Sequence, residues 1–165
     1  MNTAREQALW DFAVSLYGRP GVAEACLALQ DEDGVDVPLL LYAAWLGDRG
    51  IALSASDIAE IIGAIGGWQR EIVSSLRVIR KRLKEGPSPA PNETTDALRN
   101  AIKSAELSAE RIELALLESQ GRHLAATGGG TAAANMIAIV AHHGDGVIGE
   151  RASARVWRIA AAVGP

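Results

Sequence analysis

Apolar side chains recur along this sequence at steps of three and four, the period of helices with one buried face, and rarely in the alternation expected of strands. Over residues 3–17, Leu9, Phe12, Ala13 and Leu16 share a face while Arg5, Glu6 and Asp11 fall elsewhere. Gly18 is expected to end this helix in a left-handed conformation, and Pro20 to open the next, whose buried stripe is Val22, Cys26 and Leu29. The polar run 31–34 reads as a turn. Asp36 then caps a helix over 37–48, with Pro38 in its first turn. Because that helix is apolar all round, its neighbours must enclose it, which puts Leu39, Leu40, Tyr42, Ala43, Trp45 and Leu46 at the centre; Gly50 is the stop.

Ser54 and Asp57 have the spacing of a capping box, with Leu53 and Ile58 as its hydrophobic staple. Gly66 and Gly67 predict a kink or break, since each costs about 1 kcal/mol relative to alanine inside a helix. A further helix over 68–85 carries Trp68, Ile72, Leu76, Ile79 and Leu83 as one stripe. The three prolines of residues 86–91 predict an exposed extended connection dividing the chain into halves. Asn92 or Thr94 caps the long helix that follows, in which Leu98, Ile102, Ala105, Ala109, Ile112 and Leu116 alternate steps of four and three, a coiled-coil-like seam. A glycine loop at 128–130, a short apolar helix over 131–142, a loop at 144–149 and an amphipathic helix ending near Val163 complete the pattern. The fold class is all-α: residues 1–165 as a single domain, a bundle of about six to eight helices.

Composition adds bounds. The 165 residues are 48% hydrophobic and 22% charged, with a net charge of −4, the balance of an ordinary globular protein. Scarce aromatic and β-branched clusters argue against strands. The longest apolar run, residues 37–46, is half of the ~20 residues a membrane span needs, so no membrane insertion is expected. A lone cysteine, Cys26, cannot form an intrachain disulfide and lies in an apolar run, and residues 1–7 carry both charge signs rather than the basic stretch of a secretory signal; both point to the cytoplasm.

The sequence offers few groups for chemistry. Adjacent His142 and His143, with His123 upstream and Asp145 nearby, diverge by about 100° on a helix and are expected to serve its C-terminal carbonyls rather than a metal. The Gly128–Gly130 loop ahead of Thr131 lacks the lysine and the preceding strand of a phosphate loop. Glu106, Glu110 and Glu113 flank the apolar seam without an ExxH partner and read as a solvated face; Asp31, Glu32 and Asp33 read as turn residues. Cys26 has the position of an inert buried thiol. No catalytic residue, cofactor or metal site is expected. Arg77, Arg80, Lys81 and Lys84 form one basic surface on an acidic protein, the best candidate for contact with a partner or an anion. Nucleic acid is disfavoured as that partner, because no aromatic residues interleave. Tyr42, Trp45 and Trp68 are the residues that would line an inter-helical pocket.

The run Leu9-Trp10-Asp11-Phe12, Tyr17, Pro20-Gly21-Val22, Cys26 through Asp31, Asp36, Leu39-Leu40-Leu41 and Trp45-Leu46, continued by Trp68, Leu76-Arg77 and Arg80, resembles a bacterial family known only as a domain of unknown function. The resemblance covers about residues 9–85, extends loosely through Ala109-Glu110-Arg111 to Leu116, and implies a small helical cytoplasmic protein without an activity to transfer. Interaction faces without a catalytic constellation favour a non-enzymatic adaptor or assembly protein that works by protein contact with an unidentified partner, or as a homodimer through the seam 98–116. The alternative is an enzyme or a small-ligand or metal-binding protein with an inter-helical pocket.

Overall fold

The computed structural model describes residues 3–164, with side chains from Ala8 onward; Arg5 and Glu6, assigned to the polar face of the first helix, lie outside the described side chains. Among the described residues there is no strand, and no helix is long and apolar enough to cross a membrane. The helices are α1 (Thr3–Tyr17), α2 (Val22–Asp33), α3 (Val37–Asp48), α4 (Ala55–Trp68), α5 (Ser74–Leu83), α6 (Glu93–Gln120), α7 (Ala132–His143) and α8 (Glu150–Val163). A π-helical turn, Gln69–Val73, joins α4 and α5 into one rod.

The apolar composition of α3 decides the architecture. Ten of its twelve residues are buried, and α1, α2, α6, α7 and α8 all pack against it. Asp36 starts the helix as expected, its Oδ2 accepting the Leu39 N–H at 3.1 Å. Leu39, Leu40, Tyr42, Ala43 and Leu46 are core residues, whereas Trp45 is only half-buried, stacked beside Tyr42 with the Arg49 guanidinium over its outer face. The approach between α3 and the start of α7 is close: a Cβ on Gly47 would fall 2.2 Å from the Thr131 carbonyl carbon. Buried Asn135 of α7 fastens this contact. Its amide donates to Ala43 O (3.2 Å) and Ile51 O (2.8 Å), and its Oδ1 accepts the Leu53 N–H at 3.0 Å.

Local signals set most helix starts. Ser54 and Asp57 form the reciprocal capping box, Asn92 forms another with Thr95, and Thr131 caps α7 through the Ala134 N–H. Elsewhere tertiary contacts overrule propensity. Asp31, Glu32 and Asp33 form the last turn of α2 instead of a loop, because Lys81 and Arg155 reach them from other helices; the left-handed stop is Gly34. Gly18 does not take the left-handed conformation expected of it; Gly21 does, at φ 79°. Gly66 and Gly67 break nothing: both stay helical, Gly66 is buried under Arg70, and the irregularity falls one turn later in the π segment. The proline connection is not fully extended, since Ala90 N–H bonds Pro87 O at 2.8 Å in a turn.

Candidate functional site

The α4–α5 rod turns back through residues 84–92 and packs along α6, making a helical hairpin beside the α3-centred body. Its interior is ionic. Arg77 of α5 donates from Nε to Glu106 Oε1 at 2.9 Å and from Nη2 to Glu110 Oε1 at 2.8 Å, while Arg80 Nε bonds the other Glu106 oxygen. Burial works to raise the Glu106 pKa, and the Arg80 and Arg77 guanidiniums more than offset it, holding the carboxyl below its usual range. Glu110, with only Arg77 bonded to it, is shifted the other way by burial.

One turn further along α6, Glu113 is fully buried and meets Asp36, the cap of α3. Among the described residues, no basic or neutral donor gives a hydrogen bond to either Glu113 oxygen or to Asp36 Oδ1. Two acceptor groups in contact can bond only by sharing a proton; burial first, and Asp36 second, push the Glu113 pKa up to about 10. The expected solvated face of glutamates is therefore wrong for Glu106 and Glu113, which are among the least exposed residues of α6, and Glu110 is half-buried.

The basic surface expected on α5 is largely taken up. Arg77 and Arg80 turn into the hairpin, Lys81 pairs with Asp31 at 2.7 Å in solvent, and Lys84 stays exposed at the helix end. Tyr42, Trp45 and Trp68 do not come together around a pocket. Tyr42 is sealed in the core with its hydroxyl against Gly121, and Trp68 fixes α4 to α6 by donating its Nε1–H to Ala109 O at 3.0 Å. His143 contacts Ile139 O at 2.9 Å at the α7 terminus beside His142, as expected of histidines at a helix end. Cys26 is buried, its thiol pushed up to about 12 by desolvation.

Two surfaces remain. On the outer side of the hairpin the expected seam is left largely uncovered: Leu98 is 52% exposed and Ile112 48%, with Leu116 beside them, and Ile72 and Ile79 (48%) stand out on the rod. Only Ala109 of the seam is buried. On the body side a cleft of about 630 Å³ opens between α1, α2, the start of α3 and the hairpin. Its walls are Trp10, Val14, Leu27, Leu41, Leu107 and Leu114, and its polar groups are Tyr17, Gln30, Arg80, Lys103, Glu106 and Glu110. Burial, and then Cys26 and Glu110, raise the Tyr17 pKa above its usual value, so the phenol stays neutral. Of the cleft, sequence reasoning singled out only Arg80 and, as surface acids, Glu106 and Glu110; the signal it lacked was the partner helix that buries them.

Residues 8–117 match the model of a family described as "Protein of unknown function (DUF2390)". That span takes in α2–α5 with most of α1 and α6, both walls of the cleft included, and stops short of α7 and α8. No curated protein and no solved structure matches the chain.

Proposed function

This chain belongs to the DUF2390 family, whose description assigns no reaction, and from its geometry we propose a non-enzymatic adaptor or assembly protein that acts through the outer face of its hairpin, joined there to a second copy. The observation that carries this reading is the separation of charge on α6. At about 100° per residue, its charged side chains, from Glu93 to Glu118, all fall on one half of the helix, and Leu98, Ala101, Ala105, Ser108, Ile112 and Leu116 fall on the other. Leu76, Ile79 and Leu83 of α5 extend that uncharged surface, while Arg77, Arg80 and Lys81 are engaged elsewhere.

A two-helix hairpin can bury only one side of each helix, and a two-fold mate adds the missing layer of a four-helix bundle. The area suffices. The 28 residues of α6 span about 42 Å at 1.5 Å per residue, and two helices abreast are roughly 20 Å wide, enough for the ~800 Å² per partner of a standard interface. Cations already held by carboxylates speak against a phosphate backbone as the partner. A cytoplasmic setting accords with the single, buried and unreactive Cys26 thiol.

Light scattering tests the reading. Wild type is expected at twice the 17.3 kDa chain mass, and the double substitution Leu98→Glu with Ile112→Glu at the single-chain mass with unchanged helical circular dichroism. A wild type that stays at the single-chain mass at high micromolar concentration rejects it.

A further inference from the structure

From the opposite side of the hairpin we infer that the cleft between α1, α2, α3 and α6 is a binding site for an uncharged, mainly apolar small molecule. The cleft reaches the core. Of its lining residues, Ala13, Val37, Leu41 and Leu114 are buried members of the main hydrophobic cluster, whereas Val14, Leu27 and Leu107, from three different helices, stand exposed at its mouth. An occupant therefore enters between the helices instead of lying across them, and the volume, about 630 Å³, is in the range of sites for small molecules. Water in such a space meets mostly carbon, so its release by an apolar body is favourable.

The charged groups set the class of ligand. In the lining, Glu106 and Glu110 are matched in number by Arg80 and Lys103. Three of the four are also engaged: Arg80 bonds both Glu106 oxygens, and Glu110 bonds Arg77, which lies outside the lining. Lys103 is exposed, where water serves it. With these charges balanced, neither an ammonium nor a carboxylate meets a surplus of opposite charge, and taking either out of water costs more than taking in a neutral head group. The uncharged polar residues of the lining, Tyr17 and Gln30, carry side chains that both donate and accept, and so suit a hydroxyl or a carbonyl.

Calorimetric titration with octanol, octanoate and n-octylammonium, three probes with one tail, tests the inference. Octanol is expected to bind at one saturable site, at least about tenfold tighter than either ion, a difference of about 1.4 kcal/mol. Leu107→Glu, which puts a carboxylate at the exposed mouth, should weaken octanol binding by at least about fivefold, and Val14→Glu on α1 should do the same. Either ion binding as tightly as octanol, absence of saturable octanol binding, or a folded Leu107→Glu that binds octanol as wild type does each overturn the inference. If Leu107→Glu fails to fold, Val14→Glu decides: an unchanged affinity rejects the site. Leu98→Glu with Ile112→Glu, on the far side of α6, should leave the octanol affinity unchanged, so this result and the assembly result stand apart; loss of octanol binding there would put the probe on the outer face and overturn the inference.

Discussion

The body around α3 and the hairpin of α5 with α6 solve the same problem in opposite ways. In the body, apolar side chains from seven helices form the interior, and Asn135 is a polar group there with its amide and carbonyl both bonded. In the hairpin the arrangement is inverted. Glu106, Arg77 and Arg80 occupy the inside, α5 has no buried residue at all, and Leu98, Ile79 and Ile112 face out. A buried ion pair adds little net stability, because desolvation cancels most of its attraction, yet it resists any register in which a charge would be left alone. The body is thus built for stability, and the hairpin for a defined register with apolar side chains left on its outer surface.

The largest effect should come from the body. Leu40→Ala, at a fully buried position, is expected to cost about 2–5 kcal/mol in urea unfolding, while Leu98→Ala, measured on the monomer, should change stability by no more than about 0.5 kcal/mol. Comparable losses at both positions would erase the contrast. Next comes the hairpin interior: Glu106→Gln strands Arg80, leaves Arg77 with Glu110 alone, and should cost about 2–4 kcal/mol. Lys81→Ala, which breaks an exposed pair, should cost at most about 0.5 kcal/mol. If the two substitutions prove equal, the Glu106 network is not the hairpin's interior bond.

These sizes bear on what the sequence disclosed. The enclosure of α3, the caps at Asp36, Ser54, Asn92 and Thr131, and the all-helical fold follow from short-range chemistry, and each could be read from a few neighbouring residues. The glutamates of α6 could not. Periodicity assigns apolar positions inward, so it turns the 98–116 seam toward a partner helix; the helix that α6 meets most extensively within the chain is α5, whose arginines draw the opposite, charged face inside. Asp31 to Asp33 were hidden for the same reason, since the lysine and arginines that keep them helical come from α5 and α8. The cleft joins Trp10 to Lys103 and Glu110 across most of the chain, and no local window contains it.

A smaller effect sharpens the comparison from the boundary between the two regions. Burial, and then Asp36, hold the Glu113 pKa well above its usual value in the folded protein, whereas the unfolded chain releases the proton near the ordinary glutamate value of about 4.3. Between those values the unfolded state binds fewer protons, so raising the pH through this window works against folding. Glu113→Gln keeps a neutral donor for Asp36 without that linkage. Its melting temperature should exceed that of wild type at pH 8 and converge with it near pH 4. Equal melting temperatures across the range would mean that Glu113 is ionised in place.

Amide hydrogen exchange followed as a function of protein concentration tests the central claim most directly. If the outer face of the hairpin seats a second copy, amides along 98–116 of α6 and 74–83 of α5 should become more protected as concentration rises, with those of α3 unchanged. Protection that is independent of concentration, or that grows only around the exposed Trp157 of α8, would contradict the account.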